Sequence, residues 1–172
     1  MAKIIPFKAV RPAADKVSLV TARSYDEYSA AELASQLDFN PFSFLHVLHP
    51  AYVNQQKAGL EKRFKLVAQK YRDFRQEEVL VAEVEPVMFL YHIHSKTRDF
   101  IGIIAATSIA DYQNDVIKRH EDTLQYRVEL FKDYLHQTGF NTEPVLITYP
   151  DDAALEQWIA QQRLERPLYE FS

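Results

Sequence analysis

The chain has no cysteine. That excludes disulfides, thiolate metal sites and cysteine nucleophiles together, and it fits a reducing cytoplasm. Glycine is scarce, with 3 residues in 172, and no internal repeat is visible. Both argue against a solenoid or a disordered chain. An excess of positive charge is also missing. Lys and Arg number 20 against 24 Asp and Glu, a formal charge of −4, so no nucleic-acid partner is expected. A single local nucleotide site remains compatible with that balance. No stretch approaches the roughly 20 apolar residues of a membrane span. Met1–Phe7 holds no apolar run long enough for a signal peptide. The expectation is a cytoplasmic protein that meets no membrane.

What is present is enough for a core: 47% of residues are apolar and 13% aromatic. The length suits one domain or a compact two-part unit. Lys3–Val10 reads as an edge strand interrupted by Pro6. Ser29 and Glu32 form a capping box for a short helix to about Leu37. Asn40-Pro41 makes a turn, and Phe44–Leu48 reads as an apolar strand closed by Pro50. A long amphipathic helix is predicted over about 54–76, with Leu60, Phe64, Val67, Tyr71 and Phe74 inward. Its many lysines and arginines are diluted by Glu61, Asp73, Glu77 and Glu78, so they read as a solvated face.

Two strands follow, Val87–His94 and Phe100–Ile109, joined by a turn at Ser95–Asp99. The second is almost wholly apolar, as a central strand is. His92 and His94 share one face and have ligand chemistry, but no third ligand of fixed spacing is visible, so no metal site is assigned.

The chain then reaches Lys118-Arg119-His120-Glu121-Asp122-Thr123. Leu124, Val128, Phe131 and Leu135 fall at helical spacing, so this stripe is expected to be buried, with Gly139 as the stop. Taken as residues alone, Glu121 and Asp122 are first-turn acids that complement the helix dipole. A carboxylate at a helix mouth between two strands is also where an α/β fold places chemistry. Pro144–Tyr149 reads as that second strand, Asp151 or Asp152 caps a helix to about Gln162, and Leu168–Phe171 begins another strand. Such an unpaired terminal edge would favour a homodimer.

Several stretches, in one order, resemble the bacterial and archaeal family called domain of unknown function 1015. They are Ile4–Pro12 (Ile-x-Pro-Phe-x-Ala-x-Arg-Pro), Tyr25-Asp26, Asn40–Val47, Ile117–Thr123 and Asn141–Val145. Members of that family are generally more than twice as long and carry a later Asp-Gly-His-His-Arg motif that this sequence does not contain. The family often has arginines where Leu124 and Phe131 stand here, which weakens any carry-over of anion-binding arginines.

The later motif is shared with the ParB and sulfiredoxin-like fold, which includes kinases of free serine that use ADP or ATP. The resemblance implies an α/β or α+β fold, a mixed sheet with flanking helices. An N-terminal α+β subdomain would span 1–98, and 99–172 would begin a ParB-like nucleotide domain left incomplete. It implies the N-terminal part of a nucleotide-dependent kinase of serine or a similar hydroxy amino acid, inactive as this chain alone. Glu121 would be the base and His120 would orient the substrate or its phosphate. Thr123, Asn141, Tyr25, Asp26 and His46 would contact the substrate, and Lys118 and Arg119 the nucleotide. Asp111, Asp115 and Asp122 lie near enough in sequence to help hold Mg²⁺. The alternative is a non-catalytic binding or assembly module.

Overall fold

The computed structural model describes residues 2–24, 27–48, 59–122, 124–142 and 144–170. In chain order the strands are β1 (Ile4–Ile5), β2 (Val10–Pro12), β3 (Leu80–Ala82), β4 (Phe89–His94), β5 (Asp99–Ile104) and β6 (Ala106–Thr107). The helices are α1 (Val17–Val20), α2 (Ala30–Phe39), α3 (Leu45–Leu48), α4 (Leu60–Gln76), α5 (Ile109–Gln113), α6 (Gln125–Thr138) and α7 (Ala153–Gln162). The chain mixes helices with small antiparallel ladders, as the expected fold class requires. Its strands form three separate pairs, β1–β6, β2–β3 and β4–β5.

Two compact units are each gathered from separated stretches. The first takes 1–9, 82–122 and 142–170, and the second 10–81 and 123–141. Position 98, where the sequence suggests a change of subdomain, lies at the tip of the β4–β5 hairpin inside the first unit.

In the first unit β1 pairs antiparallel with β6, Ile4 opposite Thr107 and Ile5 opposite Ala106. Pro6 ends that ladder, and Phe7 makes an isolated bridge with Val87, exchanging backbone hydrogen bonds of 3.0 and 2.9 Å. The β4–β5 hairpin runs from Phe89↔Ile104 to His94↔Asp99. Its turn is closed by Ser95, whose Oγ accepts from the Arg98 amide at 3.0 Å and donates to the Arg98 carbonyl at 2.7 Å. The apolar run after Phe100 is not one central strand. It pairs with β4 up to Ile104, breaks there, and resumes as β6, which pairs with β1 before the chain enters α5. Asp152 caps α7 by accepting from the amides of Ala154 and Leu155, both at 3.0 Å. Ile159 is the buried residue of α7, while Trp158 and Ala154 stay exposed.

The second unit holds a core of Val20, Val47, Val67, Phe74, Val79 and Leu80, edged by Phe42, Phe44, Tyr71, Tyr134 and Phe140. Helix α4 supplies Val67 and Phe74 to it and Tyr71 to its edge, since these three recur at four and three residues. Tyr71 stacks on Phe140 at 4.1 Å between ring centroids, and Phe64 meets Tyr134 edge-on at 5.4 Å. Leu60 begins α4 but remains exposed. The part of that helix expected before Gly59 lies outside the described residues. The capping box is present as read: Ser29 Oγ accepts from the Glu32 amide and Glu32 Oε2 from the Ser29 amide.

Four further expectations fail here, each for want of a partner or of a periodic cue. Leu45–Leu48 is a helical turn and not a strand. Asn40 Oδ1 accepts from the Phe42 amide, and Ser43 accepts from the amides of Leu45 and His46, which starts a turn before any ladder can form. A short, continuously apolar run does not distinguish the two structures. Residues 144–149 form no strand, and Leu146 is 89% exposed, because no described segment pairs with them. Leu168–Glu170 is likewise not a strand. The stripe Leu124, Val128, Phe131 and Leu135 is not buried. Helix α6 meets α4 through Tyr134, on a neighbouring side, and that contact leaves the stripe in solvent. Gly139 ends α6 as expected, at φ +77°.

Candidate functional site

Residues 118–121 belong to the first unit and hang from the end of α5. Ser108 caps that helix, and Asp111 Oδ2 accepts from the Lys3 amide at 2.6 Å. Asp115 turns the chain at φ +55°, which sends the amides of Val116 and Ile117 back to the Asp111 carbonyl at 2.9 and 3.0 Å. An Asp tolerates this left-handed conformation better than most residues do. Beyond that turn Lys118 and Arg119 are exposed, with the Arg119 guanidinium 5.7 Å from the centre of the Tyr112 ring.

His120 Nδ1 lies 3.6 Å from Glu121 Oε1, and the two side chains are 94% and 81% exposed. Helix α6 begins only at Gln125, with Leu124 as its cap and no acidic residue in its first turn. Glu121 and Asp122 are therefore not the first-turn acids that the residues alone suggest. Among the described residues nothing local requires a carboxylate at 121. Of the three aspartates near the motif, Asp111 is occupied with the Lys3 amide and Asp115 forms the turn.

His46 and Asn141 belong to the second unit. His46 is 7% exposed, and its Nε2 lies 3.0 Å from the Asn40 carbonyl oxygen. The family-like stretch Asn40–Val47 is a structural knot. Asn40 Nδ2 donates to the Leu19 carbonyl at 2.7 Å, the Phe44 amide to the Val20 carbonyl at 3.0 Å, and Ser43, Leu45, His46 and Val47 are buried. Tyr25, Asp26 and Thr123 lie outside the described residues.

Burial holds the His46 pKa below its ordinary value of 6.5, against the opposing pull of the Asn40 carbonyl. The folded chain thus resists a proton that the unfolded chain accepts. Stability falls as pH drops through the ordinary histidine range, and this loss is complete below the lowered folded value. Glu32, Glu61 and Asp99 are held low by hydrogen bonds from Ser29, Lys65 and His94, and they add their losses only at more acid pH. His46→Gln keeps a donor for Asn40 but cannot titrate. Urea unfolding from about pH 7 to about pH 5 should show a smaller loss of stability in His46→Gln than in the wild type. Parallel profiles would contradict this.

One cluster escaped the sequence reading. His92 and His94 share a face of β4, and the hairpin register sets Asp99 directly opposite His94. His94 Nδ1 lies 2.5 Å from Asp99 Oδ1, and His92 Nε2 lies 3.3 Å from Asp99 Oδ2. Arg163, which ends α7, places Nη2 3.5 Å from the same Oδ2. The hydrogen bond from His94 holds the Asp99 carboxyl below the usual carboxylate range. Two imidazoles and a carboxylate could accept a metal ion or hold an anion beside Arg163. The cue was available in the tight turn at 95–98, since a hairpin that closes there pairs its flanking residues on one face.

The comparisons with known proteins come down to one match. A family model described as "Protein of unknown function (DUF1015)" covers residues 4–172. No curated protein and no solved structure matches the chain. With the match running over nearly its whole length, the chain belongs to the DUF1015 family.

Proposed function

We propose that the chain is part of a nucleotide-dependent kinase of small hydroxy compounds, free serine or a similar hydroxy amino acid, with Glu121 as the general base. The supporting observation is the state of the His120–Glu121 pair. It is exposed on a turn that is itself well tied down, and it serves no cap and no core. In the reaction Glu121 takes the proton from the substrate hydroxyl. The oxygen forms a bond to the terminal phosphorus of ADP or ATP, and the anhydride bond to that phosphorus breaks, releasing AMP or ADP. A neutral hydroxyl needs such a base within hydrogen-bond reach, and the transfer otherwise asks for positioning and charge stabilisation. His120 would orient the hydroxyl or the phosphate, Lys118 and Arg119 would face the nucleotide, and Mg²⁺ would come with it. Adding serine with ADP and Mg²⁺ to an isotope-labelled form that carries both Lys118–Glu121 and the Asp-Gly-His-His-Arg motif should shift the backbone resonances of Lys118–Glu121 first. Shifts elsewhere only, or none, would sink this reading.

A second reading, an assembly module, is favoured by one observation. Leu124, Val128, Phe131 and Leu135 leave an apolar stripe on α6 in solvent. Exposed apolar patches mark contact surfaces. A second copy of the chain is the occupant this reading names. Sedimentation that depends on concentration, and stops depending on it in Phe131→Glu, would support it. A wild type that stays monomeric at high concentration would remove it.

A further inference from the structure

We infer that His92, His94 and Asp99 form a binding site for one first-row divalent metal ion of the zinc type. Two neutral imidazole nitrogens with one carboxylate oxygen make a borderline donor set, suited to zinc and its neighbours and poorly suited to magnesium. One donor atom from each residue can be chosen so that all lie within 4.8 Å of one another. Metal bonds of about 2.0–2.2 Å in a tetrahedron put neighbouring donor atoms roughly 3.3–3.5 Å apart. His92 Nε2 and Asp99 Oδ2 already stand at 3.3 Å. His94 Nδ1 lies 2.5 Å from the other oxygen, Asp99 Oδ1, so its ring has to swing toward an ion held at Oδ2 as that hydrogen bond is given up. His94 is 79% exposed, so little opposes that rotation.

The scaffold supports the assignment. His94 and Asp99 are backbone partners across the last rung of the hairpin, and the Ser95 hydrogen bonds hold the turn that sets this register. Exposed ion pairs contribute little to stability, so the fold has small need of two imidazoles converging on one carboxylate. Three protein ligands leave a coordination position for water or a substrate atom, as in sites that do chemistry. Arg163 lies beside that carboxylate. Its charge opposes the incoming cation and favours an anionic or hydroxide fourth ligand. The site makes no use of Glu121 and stands apart from the kinase reading.

The test is calorimetric titration of the metal-free chain with zinc chloride. The expected result is saturable binding of one ion per chain that excess Mg²⁺ does not displace. It should be lost in His92→Ala, His94→Ala and Asp99→Asn, and kept in His120→Ala and His136→Ala. Arg163→Gln should bind zinc severalfold more tightly, whereas a purely structural salt bridge predicts no gain. In the wild-type protein, which needs no variant to fold, zinc should shift the imidazole resonances of His92 and His94 together. Absence of saturable binding, binding that survives Asp99→Asn, or imidazole shifts confined to other histidines would overturn the assignment.

Discussion

Replacing Phe74 by alanine is expected to cost about 3–5 kcal/mol, whereas Phe131→Ala is expected to cost about 1 kcal/mol or less. Both are phenylalanines on long helices with apolar spacing around them. Phe74 is 1% exposed and sits in the cluster with Val20, Val47, Val67 and Val79. Its backbone carbonyl also accepts from the Val79 amide at 2.9 Å, so the ring and the chain end of α4 are fixed together. Truncation there leaves a cavity that the packed neighbours fill only in part. Phe131 is 48% exposed on α6, and its loss removes little buried surface. Denaturant unfolding of the two variants separates the cases. Equal losses would mean that the stripe on α6 is covered in solution, which is what the assembly reading requires.

The spacing of Leu124, Val128, Phe131 and Leu135 shows why periodicity alone misleads. It locates a helix face but says nothing about what covers it. Features that close locally were legible. The Ser29–Glu32 box and the Gly139 stop each satisfy backbone groups within a few residues and stand as read, and of the two caps open for α7, Asp151 or Asp152, Asp152 is the one that caps. The β4–β5 hairpin was legible for the same reason, since its turn needs only Ser95 and the chain beside it. A strand at 144–149 depends on a distant partner, and no described segment supplies one. The two units are gathered from separated stretches, and residues 1–9 join 82–122 and 142–170 only in space. Of the candidate residues, the exposed His120–Glu121 pair keeps its chemistry available, while His46 is built into the core. Asp99 went unnoticed because its partnership with His94 is a matter of register, not of spacing along one strand.

Glu121→Gln is expected to lower phosphoryl transfer about 10²–10⁴-fold, the usual contribution of a general base. Glutamine keeps the shape and the hydrogen-bonding reach of the side chain and removes its capacity to take a proton. Stability should hold within about 0.5 kcal/mol, because the Glu121 side chain is 81% exposed and lies before the cap of α6. Nucleotide affinity should barely move, since the family resemblance puts most phosphate contacts on the Asp-Gly-His-His-Arg motif. That motif has to be present in the assayed form of the protein. A variant with unchanged turnover would take Glu121 out of the mechanism. A variant that loses stability along with activity would assign the residue a structural part instead.

The most direct measurement of the kinase reading is transfer of labelled phosphate from ADP and from ATP to free serine. On the proposed reading the assay requires a form of the protein that carries both His120–Glu121 and the Asp-Gly-His-His-Arg motif, at saturating nucleotide and Mg²⁺. The account predicts phosphoserine at a rate that depends on one of the two nucleotides. No labelled product from serine, or from a panel of related hydroxy compounds, would contradict it.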